Sequence, residues 1–343
     1  MKRSFSVVAG AVALTAILII AASAAWLHLE LTTPYYNAPS NEIFVEISRG
    51  LDTEKIAKLL VESGILRRRL PFIAYLRFTN NAGRIKAGEY RFSGPASPKQ
   101  ITQRLIRGDV YYRAFTIPEG LTARETIELL ARNGFGVIEE MESLLLKTDW
   151  ISDMNPDAEN LEGYLFPETY HFSRRADSAQ IINTLVEQFR KQYREIAAEF
   201  PPRTGWNTSR IVILASMIEK EVRKAEERPI VSSVFYNRLE RKIPLACDAT
   251  IIYALKLRGA YSGNIRKVDL SMESPYNSYR NRGLPPGPIA NPGADSLRAA
   301  LNPAETEYLY YVSRNDGTHV FSKTYSEHQR AVDRYQRSRI KKQ

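Results

Sequence analysis

Hydrophobic and polar residues change rhythm several times along the chain. Phe5 to Trp26 is an uninterrupted uncharged, mainly apolar stretch of 22 residues. As a helix it would be about 33 Å long, enough to cross a bilayer. Lys2 and Arg3 precede it, which predicts a cytoplasmic tip at residues 1–4 and a transmembrane helix over 5–27. Trp26, Tyr35 and Tyr36 suit the far interface. A cleaved signal peptide is the alternative, because Ala22-Ser23-Ala24 resembles a cleavage site. The apolar run continues through Trp26 and Leu27, which favours a retained anchor. Either reading exports the rest of the chain. Residues 28–41 read as a linker, rich in turn formers such as Pro34, Asn37, Pro39 and Ser40.

An internal duplication follows. Ile47-Ser-Arg-Gly50-Leu51, Leu59-Leu60 and Gly64 match Ile117-Pro-Glu-Gly120-Leu121, Leu129-Leu130 and Gly134 at a constant offset. Each copy predicts an extended segment (Ile43–Ser48; Tyr111–Ile117), a glycine turn, an amphipathic helix and a terminating glycine. Between them lie a short helix from Pro71, a strand over Gly88–Phe92 and a helix over Ser97–Arg107. Ser97 is placed as its N-cap, with Gly108 following. Strand–helix units of this size make small α+β modules, and no run of parallel-type strands suggests a doubly wound sheet.

Further helices are expected over Val137–Lys147, Ala176–Phe200 and Pro229–Leu239, and over Ile251–Leu257. A hairpin pairs Tyr308–Ser313 with His319–Lys323 around Asn315-Asp-Gly317, before a basic helix from Tyr325 carrying Arg330, Arg334, Arg337, Arg339, Lys341 and Lys342. Asp149–Asn160 is polar and turn-rich. The aromatic-dense Leu161–Tyr170 can be read as a sugar-stacking surface or as a loop folded over a core. The proline-rich segment 285–292 reads as a rigid loop.

The helix over Ser209–Val222 carries the candidate chemistry. Ile211, Leu214, Ala215, Ile218 and Val222 form one apolar stripe. Glu219 and Glu221 fall about 80° to either side of it, with Lys220 on the far, solvated side. A carboxyl at the edge of an apolar surface is a candidate general acid, because desolvation favours its protonated form. Two surface glutamates paired with Arg210, Arg223 or Lys224 would fit the same pattern, and geometry does not choose between them.

Composition narrows the chemistry by exclusion. One cysteine, Cys247, rules out an internal disulfide framework and a Cys-rich metal site, and in an oxidising compartment it should be buried. The histidines (His28, His171, His319, His328) show no paired spacing, so a metal site would need carboxylates and none is expected. No phosphate-cradling loop, dinucleotide fingerprint or nucleophile elbow is present. The net charge of +10, or +8 without Lys2 and Arg3, is spread among acidic residues. Such diffuse charge suits a membrane surface or an acidic polymer better than nucleic acid.

Six ordered segments together resemble the YceG-like family, the endolytic murein transglycosylases. They are Leu161-Glu-Gly-Tyr-Leu-Phe-Pro-Glu-Thr-Tyr170, Ala215-Ser-Met-Ile-Glu-Lys-Glu221, Val234-Phe-Tyr-Asn-Arg-Leu239, Tyr276-Asn-Ser-Tyr279, Leu284-Pro-Pro-Gly-Pro-Ile289 and Pro292-Gly-Ala-Asp-Ser-Leu297. The likeness spans nearly the whole chain. It implies an α+β protein with an N-terminal transmembrane helix, a small LysM-like α/β module at 42–113 and a mainly helical α+β catalytic domain at 114–343. Where the family shows Gln-Ser/Thr-Asp-Pro-Thr, this chain has Ala246-Cys247-Asp248-Ala249-Thr250, keeping Asp248 and Thr250.

The resemblance selects Glu219 as catalytic residue, the first Glu of its Glu-Lys-Glu motif. It implies lytic cleavage of the MurNAc–GlcNAc bond in nascent strands, with one carboxyl as acid and then base, and no cofactor. Glu221, Asn237, Asp248, Thr250, Tyr276, Asn277, Tyr279, Glu162 and Tyr170 are the candidate substrate-binding residues. The implied partners are peptidoglycan glycan strands, the inner membrane and peptidoglycan synthases, with the catalytic domain periplasmic. A non-catalytic peptidoglycan-binding or scaffold protein is the alternative.

Overall fold

The computed structural model describes residues 2–35, 42–174 and 176–337. Residues 36–41 of the expected linker, and Arg339, Lys341 and Lys342 of the basic C-terminus, lie outside the described residues, while residues 28–32 of that linker continue the N-terminal helix. The chain is α+β and mostly helical, and it divides into two compact units: Met1–Arg113 with His171–Arg174, and Ala114–Tyr170 with Arg175–Gln343.

The first unit opens with α1 (Lys2–Thr32), whose span Gly10–Thr32 is long and apolar enough to cross a membrane. Strands β1 (Ile43–Ile47) and β2 (Gly88–Phe92) pair antiparallel, with Val45 opposite Tyr90. Alternation in these strands turns Val45, Ile47, Tyr90 and Phe92 inward. They meet Ile56 and Leu60 of α2 (Thr53–Glu62), Phe72 and Leu76 of α3 (Arg69–Phe78), and Ile101 and Leu105 of α4 (Pro98–Arg107). Burying each such side chain stabilises by about 1.5–3 kcal/mol. Local signals set the ends of α4: Ser97 and Gln100 form a reciprocal capping box, and Gly108 closes the helix in the left-handed region.

Strand β3 (Arg113–Thr116) leads into the second unit, whose first helix is α5 (Ala123–Arg132), capped by Thr122 and Glu125. After α6 (Ile138–Leu144) comes the aromatic segment, in which Tyr164, Leu165, Phe166 and Tyr170 are all buried. Its aromatics therefore fold over the core, and its end forms β4 (Thr169–Phe172), which pairs with β3. The long α7 (Ser178–Glu199), α8 (Thr208–Glu221), α9 (Arg228–Glu240), α10 (Asp248–Leu257) and α11 (Ala294–Leu301) make the helical body. Strands β5 (Tyr310–Ser313) and β6 (His319–Ser322) form the expected hairpin, followed by α12 (Tyr325–Val332) and a π-helical turn.

One expectation is corrected. The sequence predicts a single buried stripe on α8, yet every residue from Ile211 to Ile218 is buried. The helix packs against α9, α10 and α11, so Val212, Ile213 and Met217, off the stripe, find apolar partners too. Hydrophobic all round, α8 is a central helix, not an amphipathic surface one.

Candidate active site

Glu219 sits on the last turn of α8, just where the buried run ends. Its side chain is 6% exposed. One carboxyl oxygen, Oε1, accepts from Arg228 Nη2 at 3.2 Å, and Oε2 accepts from the backbone N–H of Gly293 at 3.0 Å. Gly293 precedes α11, so Glu219 closes the N-terminus of that helix, where donors are otherwise unpaired. Arg228 opens α9 and is itself buried. Its backbone is steadied by Glu227, which accepts from the His319 N–H of β6 at 3.0 Å and meets its ring at 2.7 Å.

The same guanidinium reaches two more carboxylates, Glu119 at 3.4 Å and Asp295 at 3.8 Å. Glu119 belongs to the glycine turn before α5. Burial, and next the nearby Glu219 charge, push its carboxyl pKa upward. The turn is fixed from several sides. Gly120 has φ +76°, donates to Asn291 O at 3.0 Å and accepts from Lys220 Nζ at 2.8 Å. Lys220, expected to point to solvent, is exposed along its stem while its ammonium folds back to this carbonyl. Asn291, 1% exposed, accepts at Oδ1 from the N–H groups of Gly163 and Leu165 and donates to Leu121 O and Thr126. A Cβ at Gly293 would displace the Glu119 carboxyl from its present place.

On the other flank of α8, Glu221 is half-buried, its carboxyl held against Cys247 Sγ and Tyr311 Oη, each at 2.9 Å. Burial raises its pKa, although both hydrogen bonds oppose the shift. Cys247 is free and buried. Its backbone N–H donates to Ser278 Oγ, which also meets Thr250 Oγ1 at 2.8 Å. Tyr279 Oη donates to Asp248 at the mouth of this group. A third group surrounds Glu162, which is buried and accepts from Ala123 N at 2.9 Å and from Tyr253 Oη at 3.3 Å. Burial pushes the Glu162 carboxyl up to about 8. Tyr253 in turn packs on Tyr276, ring centroids 4.9 Å apart. Glu162 lines two cavities, of 230 and 280 Å³.

The sequence-predicted residues thus divide by exposure. Asp248 is exposed, while Tyr276 and Tyr279 are half-buried at loop surfaces. Thr250, Asn277, Glu162 and Tyr170 are buried and Glu221 half-buried, with polar atoms bonded to protein, a placement that shapes walls more than it offers contacts. Asn277 donates to Leu270 O and Met272 O, and Tyr170 to Phe166 O. Asn237 holds Thr306 O and Tyr308 O and lines a separate depression of 440 Å³. Sequence reasoning missed Glu119, Arg228, Asn291, Gly293 and Asp295. Arg228 had left a trace: a cation in a helix's first turn opposes the macrodipole and implies an outside partner. Among the described residues no group of three or more His, Cys, Asp or Glu side chains is placed to hold a metal ion.

Comparison with known proteins gives a consistent set. The YceG-like family matches residues 45–334. An endolytic murein transglycosylase of Bacillus subtilis is 31% identical over 328 residues, covering 91% of this chain and 90% of the relative. A protein of the same name from Streptococcus pneumoniae is 26% identical over 330 residues, 87% of this chain and 59% of that longer protein. The crystal structure of a YceG-like protein from Listeria monocytogenes covers 85% of this chain and 99% of its own, with 29% identity and a TM-score of 0.55.

Proposed function

The chain belongs to the YceG-like family, and from that premise we propose that it is a membrane-anchored endolytic murein transglycosylase. This lyase cuts the MurNAc–GlcNAc bond within nascent glycan strands and leaves 1,6-anhydro-MurNAc ends. Residues 5–27 are its single-pass anchor in the inner membrane, residues 42–113 a LysM-like module and residues 114–343 the periplasmic catalytic domain. The observation that carries this reading is Glu219, a nearly buried carboxyl at the end of a wholly buried helix, oriented through both oxygens by Arg228 and Gly293.

The chemistry follows from one group acting twice. Protonated Glu219 gives its proton to the glycosidic oxygen as the C1–O4 bond breaks, releasing the GlcNAc 4-hydroxyl. The resulting carboxylate takes the proton of the MurNAc 6-hydroxyl while O6 attacks C1 and closes the anhydro ring. No water is consumed, so neither a second catalytic carboxylate nor a space for water is needed. Arg228 and Glu119 are positioning residues here. Arg228 is shared among Glu219, Glu119 and Asp295, so one guanidinium fixes the three carboxyls relative to one another. Asp248, Tyr276 and Tyr279 are the groups placed to meet sugar, and Glu162, Tyr170, Glu221, Thr250 and Asn277 hold the walls behind them. Asn237 braces the 306–308 segment. Peptidoglycan synthases are expected neighbours, since nascent strands are the substrate.

The test is digestion of purified glycan strands by the full chain and by Glu219→Gln, followed by mass analysis. Wild type should produce 1,6-anhydro ends and the variant none. Reducing ends would mean hydrolysis. Strands left uncut by both proteins would return the chain to a binding or scaffold role.

A further inference from the structure

Helix α3 is apolar on two sides. One face buries Phe72 and Leu76 in the core of the first unit. The opposite side leaves Leu70 and Phe78 at 66% and 83% exposure, where an ordinary surface helix would carry polar residues. Cations frame these side chains. Arg67, Arg68 and Arg69 lead into the helix and Arg77 sits in its last turn, all exposed. Together Arg68, Arg69, Leu70, Ile73, Arg77 and Phe78 line one open groove of 760 Å³.

The position of this groove matters as much as its composition. Arg68 lies over the Trp26 ring of α1 at 5.9 Å and faces Glu30 at 3.8 Å. Arg67 and Arg68 also border a cavity of 280 Å³ against Trp26, Leu29 and Tyr35. The apolar run of α1 ends at Leu27, so Trp26 marks the depth at which hydrocarbon gives way to headgroups. With α1 read as an anchor whose hydrocarbon span closes at Leu27, Arg67 and Arg68 stand at headgroup depth.

We propose that α3 and the arginines leading into it form a docking surface for anionic phospholipid headgroups of the membrane that α1 enters. Guanidinium groups bind phosphate through paired hydrogen bonds, while Leu70 and Phe78 enter the adjoining acyl boundary. The acidic neighbours do not cancel the surface. Glu54 meets Arg77 at 3.7 Å with both side chains exposed, a pairing that a phosphate readily replaces. A carboxylate-bearing glycan would satisfy the arginines but gives no use for the exposed Leu70 and Phe78. The inference rests on the reading of α1 as a retained anchor.

The test uses the full chain in lipid nanodiscs, made of phosphatidylcholine alone or with added phosphatidylglycerol. An environment-sensitive fluorophore is placed on Thr79→Cys in a Cys247→Ala background, beside Phe78. Phosphatidylglycerol should shift its emission to the blue and cut iodide quenching several-fold. Arg67→Ser/Arg69→Ser/Arg77→Ser should lose that protection while its thermal unfolding stays unchanged, and high salt should weaken it. Equal quenching in both discs, or protection that survives the triple substitution, would overturn the proposal. So would protection that appears only with added glycan strands, which would assign the surface to the polymer. A chain that fails to remain with the discs at all would instead refute the anchor, and with it the premise.

Discussion

The two copies of the duplicated unit share a backbone and diverge in what they hold. Helices α2 and α5 begin and end at matching positions, Thr53–Glu62 and Ala123–Arg132. Gly50 and Gly120 both sit at positive φ, +82° and +76°, and Gly64 and Gly134 close the helices at +73° and +75°. Even the bond after the closing glycine recurs, Ile65 N–H to Leu60 O and Phe135 N–H to Leu130 O. Yet around Gly50 there is open space, whereas Gly120 lies against Glu219 and Lys220. Arg49 is exposed in the first copy; Glu119, its counterpart, joins the Arg228 cluster. A turn that fixes backbone direction in one place delivers a carboxyl to a candidate active site in the other. Local geometry is thus inherited, and chemistry comes from what packs against it.

The largest expected effect comes from exchanging the residues that differ. Glu119→Arg puts a second cation beside Arg228 and removes a carboxyl from it, so Glu219 loses its orientation. Cleavage, followed as 1,6-anhydro ends, should fall by about a hundredfold, the scale on which small misplacements act. Arg49→Glu should leave cleavage at the wild-type rate. Equal losses from both exchanges would break the comparison.

Next in size is a difference in pH dependence between the two helix starts. Asp52 caps α2 from the surface, and hydrogen bonding from the Lys55 N–H chiefly lowers its pKa. Its contribution is present above the ordinary value of 3.8 and disappears as pH falls through the lowered one. The start of α5 instead receives Glu162, raised by burial from 4.5 to about 8. The sign reverses: its contribution is full below 4.5 and is lost as pH rises toward 8. Glu162→Gln should therefore flatten the decline in stability between those limits, by on the order of a few kcal/mol, in urea unfolding followed against pH. A wild-type stability that stayed level across that interval would contradict the assignment.

These contrasts also explain what the sequence could reveal. The Ser97 cap, Gly108, the strand Gly88–Phe92 and the repeat itself are written in residues a few positions apart, so patterning reaches them. The candidate site is assembled from separate stretches: Glu119, Glu219, Arg228 and Gly293 meet only after folding. The family resemblance selected Glu219 but could not place Glu119, because its position in the repeat looks like an ordinary turn. Helix α8 shows a different limit. Periodicity identified one stripe, and the near-continuous apolar run from Ile211 to Ile218 was the stronger sign of burial on all sides. The strand β4 and helix α11 escaped patterning because one ends an aromatic segment read as a surface or loop and the other directly follows the proline-rich loop 285–292.

The smallest effect separates backbone strain from chemistry. Gly50→Ala and Gly120→Ala each force an L side chain into the left-handed region, at a cost of about 1–2 kcal/mol. Urea unfolding should show similar losses for the two, since the φ values are nearly equal. A Cβ at 120 would stand 3.6 Å from Glu219 Cγ, an ordinary contact and no clash, so overpacking adds nothing to that cost. Relief of the strain would occur by turning the peptide, and the two turns differ in what that moves. At Gly50 it moves a solvent-facing turn. At Gly120 it disturbs the N–H bond to Asn291 and the carbonyl that holds Lys220. Cleavage should fall several-fold for Gly120→Ala and stay unchanged for Gly50→Ala, although both proteins are destabilised alike. If activity merely tracked stability in the pair, Gly120 would be no more than a structural turn, and the second copy would owe its role to Glu119 alone.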